Sequence, residues 1–419
     1  MSNATVVLSL GFAALLMLVM VAKLWLSHRQ IRHVALHRAA VPAAFADTVD
    51  LPSHQKAADY TIAKARLDTA ETALQFAMLL AWTLLGGLDA LNQALLSWIP
   101  GGMTQQLLLL VSFGAVGAVT ELPLSWYRTF VLEHRFGFNT SSLGQWLMDG
   151  IKGAALALAL GVPLAALLLW VMGSTGTWWW AWCWAVYMGF SLLLMWAFPA
   201  FIAPLFNTFQ PLADDALRTR VGALMQRCGF QASGFYVMDG SRRSAHANAY
   251  FTGMGKNKRV VFYDTLLKQL SPDELEAVLA HELGHFHHKH LTKRLITVSM
   301  TALLAFGTLG WLASRTWFYT GLGIEPSLDA PNDALALILF MLVMPLVTFF
   351  AAPVMSAASR RDEFEADGFA ASHTRASDLS SALLKLYQGN ASTLTPDPTY
   401  VSFYHSHPPA SQRLARLTP

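Results

Sequence analysis

From residue 153 to residue 213 the chain contains no Asp, Glu, Lys or Arg. A helix that is apolar all round is stable only when buried in protein or lipid. A membrane span takes about 20 apolar residues, so this run is long enough for two. Gly173-Ser174-Thr175-Gly176 is the break that folds it into a hairpin. Five further runs have spanning length: residues 5–22, 72–98, 104–126, 295–318 and 334–359, with Pro100-Gly101-Gly102 between the second and third. Composition agrees, since 13% of residues are charged against about 25% in soluble domains. The expected fold is mainly α: a seven-helix integral membrane protein carrying a small cytosolic α/β unit. Residues 5–22 have no basic leader and no small-residue cleavage site, so they read as a retained anchor.

Lys and Arg in the loops set the orientation. Arg29, Arg32, Arg38, Lys56, Lys64 and Arg66 follow the first span, Arg128 and Arg135 follow the third, and Arg360 and Arg361 follow the seventh. The opposite loop at 324–333 carries Glu325, Asp329 and Asp333 and no Lys or Arg. Arg315, near the outer end of the sixth span, is the exception. The N-terminus is therefore expected outside, with 205–294 and 360–419 in the cytosol of a bacterial inner membrane or an ER membrane. The resulting division is 1–204 (five spans), 205–294 (α/β unit), 295–359 (two spans) and 360–419 (cytosolic C-terminal part). Among charged groups in or beside the spans, Glu121, Glu133, Asp149 and Lys152, the last two are three apart and could pair on one helix face; the alternative is that these groups lie at the membrane interface.

A net charge of +3, with no basic tract interleaved with aromatics, points away from nucleic acid. Cys183 and Cys228 sit in unlike contexts and are too few for a thiolate metal site.

Between 205 and 290 the pattern predicts a helix over 214–227 and strands over 234–238, 245–251 and 259–263. Ser271-Pro272-Asp273-Glu274 then opens a second helix: an N-cap Ser, Pro at the first helical position and acids in the first turn. That helix carries His281-Glu282-Leu283-Gly284-His285. Histidines at i and i+4 share a face and can bind one Zn²⁺, and the Glu between them is placed to act as general base. His288 falls near the same face but two turns beyond His281. His287, His288 and His290 are read as a solvated or membrane-surface helix end. A catalytic zinc takes three protein ligands and one open position, so a third must come from elsewhere. The sixth and seventh spans return Ser359-Arg360-Arg361-Asp362-Glu363-Phe364-Glu365-Ala366-Asp367 to the same side. Glu363 and Asp367 share a helix face there: one can ligate, the other can orient a ligand histidine.

With these residues assembled, the chain resembles the type-I CAAX prenyl proteases, integral-membrane zinc endopeptidases of the gluzincin kind. The resemblance rests on Phe130-Val131-Leu132-Glu133 with Gly137-Phe138-Asn139, Pro204-Leu205-Phe206-Asn207, Ala247-Asn248-Ala249-Tyr250-Phe251 and Arg259-Val260-Val261-Phe262-Tyr263-Asp264-Thr265-Leu266. The histidine motif follows, then Ser359-Arg360-Arg361 with Glu363-Phe364-Glu365-Ala366-Asp367, and Ser406-His407-Pro408-Pro409. It implies one Zn²⁺ on His281, His285 and Glu363, with Asp367 supporting, and seven helices around an internal chamber. By the same resemblance Glu282 is the base and His407 donates to the oxyanion. Ala247, Asn248 and Ala249 lie on an edge strand that pairs with the substrate backbone. The implied substrate is a peptide or protein at a bilayer, prenylated near its C-terminus. A quality-control protease acting on unprenylated membrane proteins would use the same chemistry. A non-proteolytic membrane component with a structural zinc would need neither the open position nor Glu282.

Overall fold

The computed structural model describes residues 2–252 and 257–417. Among them, six helices are long and apolar enough to cross a membrane: Asn3–Leu36, Met103–Phe136, Leu143–Ser174, Gly176–Phe206, His290–Ala313 and Asp333–His373. A bent pair, Leu51–Trp82 and Gly87–Trp98, with 52° between its helices, is long and apolar enough only when taken together and makes the number seven if counted as one span. The run 72–98 is thus not one straight helix. Gly86 takes the left-handed conformation at φ 74°, and a Cβ on Gly87 would sit 2.6 Å from the Ala81 carbonyl oxygen, so the bend is built on two glycines.

Several spans extend beyond a bilayer. At about 1.5 Å per residue the 34 residues of Asn3–Leu36 reach about 50 Å. The polar ends that project past the apolar stretch make ion pairs there: Arg29 pairs with Asp397 at 2.9 Å and, just beyond the helix, Arg38 with Asp59 at 2.7 Å. Interior space follows the helix Leu51–Trp82. A cavity of about 660 Å³ lies against Tyr60, Lys64 and Asp68, and one of about 540 Å³ lies further along, against Glu71, Gln75 and Trp82.

Asp149 and Lys152 do not pair. Asp149 takes a two-pronged bond from Arg243, at 2.8 and 3.0 Å, and Lys152 donates to the Leu205 carbonyl at 2.9 Å. A fork-shaped guanidinium from the α/β unit competes better for the carboxylate than a neighbouring ammonium. The pair also clamps that unit to the membrane helices.

The α/β unit is a four-stranded sheet of β1 (Phe209–Pro211), β2 (Gln231–Met238), β3 (Ala249–Thr252) and β4 (Asn257–Tyr263), in the order β1-β2-β4-β3. β2 and β4 run parallel; the outer pairings are antiparallel. β3 is therefore an edge, as expected, but it is shorter than 245–251. Ahead of it, the Ala245 amide donates to the Phe138 carbonyl (3.1 Å) and the Ala247 amide to Asn390 Oδ1 (3.2 Å). Those donors are committed outside the sheet, so pairing starts only at Ala249. Asp214 caps Asp215–Arg227, whose Val221, Leu224 and Met225 pack into one core with Val260 and Phe262 of β4.

Candidate metal centre

The helix Pro272–His287 has a capping box: Ser271 Oγ accepts from the Glu274 amide and Glu274 accepts from the Ser271 amide. Leu275, Leu279 and Leu283 recur every four residues, are 2% exposed or less, and join the core under the sheet. Each such burial stabilises by about 1.5–3 kcal/mol. The face holding Ala277, His281, Gly284 and His285 turns instead toward the helix Ala352–His373. That helix buries Glu363, Ala366, Asp367 and Ala370, spaced i, i+3, i+4 and i+7. The membrane hairpin therefore delivers its polar stripe onto the histidines.

His281 Nε2 and His285 Nε2 are 3.3 Å apart. Glu363 Oε2 lies 3.4 Å from His281 Nε2, and Glu363 Oε1 lies 3.3 Å from His285 Nε2. Glu363 Oε2 is buried and has no hydrogen-bond partner among the described residues. Two imidazole nitrogens and a carboxylate aimed at one point, with an orphaned oxygen among them, form a group that can hold a metal ion.

Behind this group, Asp367 Oδ1 accepts from His281 Nδ1 at 2.9 Å, which leaves Nε2 free to ligate. Arg413, 5% exposed, grips both oxygens of Asp367, with Nε 2.9 Å from Oδ2. Without a metal, burial works against a proton on His281, but the two carboxylates outweigh it and push its pKa up to about 9.

Glu282, His281, His407, Arg413, Ala247, Asn248 and Ala249 line one small cavity of about 120 Å³. His285, Glu363 and Asp367 do not line this cavity but adjoin it through His281, which touches all three. His407 Nε2 stands 3.4 Å from Glu363 Oε1 with its side chain 63% exposed. Protein around the ring still desolvates it and holds its pKa below the usual histidine value, with Glu363 pulling the other way. Asn248 and His407 also line the larger 660 Å³ cavity, so the centre opens into the interior space.

One reading of the sequence is overturned. His290 is not at a solvated helix end: it is 5% exposed. Pro272–His287 stops before it, Lys289 takes the left-handed conformation (φ 57°), and the chain re-enters a helix at His290 in a new direction. Extrapolating one helical wheel across that turn misplaces the ring. His287 is exposed but lies against Phe369, with ring centroids 4.8 Å apart, and His288 stacks on His290. Arg413 and Asn390 were not found from sequence, and Arg360, though it stands in a quoted motif, was given no role at the site. Arg360 donates to the carbonyls of Val401 and His405 and holds the turn carrying His407. Isolated polar residues outside any motif give no signal until the fold brings their partners.

Helices of membrane-spanning length, joined to a helix-borne histidine pair with a carboxylate opposite, define the class: an integral-membrane metallopeptidase. Comparison with known proteins agrees. The family model described as CAAX prenyl protease N-terminal, five membrane helices, matches residues 30–208, and that for peptidase family M48 matches residues 211–419. The chain belongs to peptidase family M48. It is 37% identical over 334 residues to a CAAX prenyl protease 1 homolog of Arabidopsis thaliana, covering 79% of this chain and 75% of that one. CAAX prenyl protease 1 of Saccharomyces cerevisiae is 32% identical, covering 94% and 91%. The crystal structure of S. mikatae Ste24p is similar with a TM-score of 0.91 at 30% identity, over 100% of both chains.

Proposed function

We propose that this membrane metalloendopeptidase is zinc-dependent and cuts near the C-terminus of prenylated CAAX proteins or peptides at the cytosolic face. The observation that carries the zinc reading is the 3.3 Å between His281 Nε2 and His285 Nε2, with one carboxylate oxygen of Glu363 at 3.4 Å from the first nitrogen and the other at 3.3 Å from the second. A tetrahedral ion with bonds of about 2.0–2.1 Å has edges of about 3.3 Å between ligands. The substrate class is drawn from the CAAX prenyl protease names of relatives matched over most of the chain. The Lys and Arg of the loops support the cytosolic side.

His281, His285 and Glu363 would hold the ion, and Asp367 orients His281. A zinc ion held there would supply Lewis-acid polarisation of the scissile carbonyl and a lowered pKa for the attacking water. Glu282 takes that water's proton and returns it to the leaving amine. His407 donates to the oxyanion as it develops. The edge formed by Ala247, Asn248 and Ala249 aligns the substrate backbone beside the centre. The catalytic unit is thus two separate segments, 205–294 and 360–419, that meet at the metal.

The test is cleavage of a farnesylated CAAX peptide beside its unprenylated twin, with and without a zinc chelator. Chelator-sensitive turnover favouring the prenylated peptide is expected. Equal turnover of both would transfer the reading to broad membrane-protein quality control, and turnover indifferent to chelation would remove the zinc centre.

A further inference from the structure

His281 and His285 are backed differently. Asp367 stands behind His281, whereas behind His285 stands another imidazole: His285 Nδ1 and His290 Nδ1 are 2.9 Å apart. On its far side His290 Nε2 lies 3.1 Å from Glu365 Oε2 and 3.5 Å from Asp362 Oδ1. His290, Asp362 and Glu365 also bring their ligand atoms close enough together to hold a metal ion, so two roles compete for His290.

Proton bookkeeping separates them. A neutral His285 that ligates through Nε2 carries its hydrogen on Nδ1. His290 Nδ1 must then accept, so a neutral His290 carries its hydrogen on Nε2 and donates it to Glu365. In that tautomer no lone pair of Nε2 faces Asp362 and Glu365, and His290 cannot ligate a second ion there. The same cluster can host a second metal only if His290 Nδ1 carries the hydrogen, which strips His285 Nδ1 of its own. One neutral assignment satisfies both rings together with the first metal.

We propose that His290 is a positioning residue: it accepts from His285 Nδ1–H, passes the polarisation on to Glu365, and so fixes the ring of the second metal ligand. The inference rests on the zinc reading of His281, His285 and Glu363. It adds that the turn at Lys289 has a task. The turn leaves the motif helix early enough to fold the next residue back beneath His285. The Glu365 carboxylate ends the relay and is itself held by Arg361, at 3.2 Å, and Lys293, at 3.8 Å. Removing a partner behind a metal-ligating histidine typically costs about 10–100-fold in metal affinity.

The experiment measures zinc alone, by competition with a chromophoric chelator, on the purified full chain in detergent. Wild type should take one equivalent and His281→Ala should lose it; if these two bind alike, the metal centre itself is wrongly placed and the failure is not that of His290. His290→Leu removes the acceptor and should weaken zinc about 10–100-fold. His290→Asn offers a carbonyl oxygen near the former Nδ1 position and should recover most of the loss. Glu365→Ala, at a half-buried surface position, should weaken zinc by a smaller factor and decides the matter if the His290 variants do not fold. Wild-type affinity in His290→Leu, no recovery in His290→Asn, unchanged affinity in Glu365→Ala, or a second zinc equivalent that disappears in His290→Leu would each overturn the proposal.

Discussion

Gly284 and Ala366 meet where a side chain would be crowded: a Cβ on Gly284 would lie 3.0 Å from Ala366 Cα and 3.1 Å from Phe369 Cβ. The helix with the histidines and the helix with Glu363 are held at this spacing by a hydrogen atom. Gly284→Ala gains about 0.8–1 kcal/mol of helix propensity. Overpacking costs about 1–3 kcal/mol, and the opposing atoms are backbone of Ala366 and the Cβ of Phe369, which give way only if the helix shifts. The expected net outcome is destabilisation with weakened metal retention, far larger for Gly284→Val. Thermal unfolding and zinc content of the two variants check it; an unchanged metal affinity in Gly284→Val would show that this contact does not set the site.

Glu282 and Glu363 should separate binding from chemistry. Glu282→Gln is expected to keep its zinc and lose about 10²–10⁴-fold in turnover, the usual worth of a positioned general base. Glu363→Ala should lose the zinc itself. Metal analysis beside peptide cleavage on both variants distinguishes the roles, and full zinc in Glu363→Ala would rule it out as third ligand.

Arg413 and Asp367 form a pair of which both members are about 5% exposed or less. Deleting one partner strands a buried charge, which costs about 3–5 kcal/mol. Arg413→Met should therefore lower the unfolding midpoint and also loosen zinc, because Asp367 orients His281. Arg413→Lys should restore little, since an ammonium cannot reproduce the fork. Recovery of wild-type stability in the Lys variant would mean that charge alone suffices.

Glu274 links the motif helix to the helix Ala376–Gly389. Burial alone would raise its pKa, but Lys385 at 2.8 Å, Ser381 at 2.6 Å and the Ser271 amide outweigh that and hold it at about 2. Its pKa in the folded chain lies below the ordinary 4.5. It therefore contributes stability above that ordinary value, and the contribution is lost as pH falls from 4.5 toward about 2. Lys385→Met should reduce stability at pH 7 and shrink the further loss on acidification. Unfolding midpoints of both proteins at neutral and acid pH test the sign.

Much of the membrane architecture was legible because lipid imposes a simple rule on sequence: long uncharged runs. The hairpin at 173–176 and the helix starting at Pro272 were readable from Gly, Ser and Pro at their breaking and capping positions. Gly86 and Gly87 were equally visible, yet nothing local says whether a pair of glycines bends a span or merely lies in it. The strand at 245–251 was overextended for a related reason. An apolar alternation shows that a segment suits a sheet, while Phe138 and Asn390, far away in sequence, decide which of its amides remain for pairing.

At the site the division is sharper. His281, Glu282 and His285 lie within one and a half turns of one helix, so their geometry is a property of helical periodicity and the sequence alone determined it. Glu363 and Asp367 share a face for the same reason. What sequence could not decide was which separate pieces meet. His290 is nine residues from His281 yet was misread, because one left-handed residue, Lys289, redirects the chain. Arg413, which buries itself against Asp367, carries no local mark at all. Periodicity is encoded by neighbours along the chain, whereas the supporting contacts depend on the direction in which whole helices pack, and only the tertiary structure settles that.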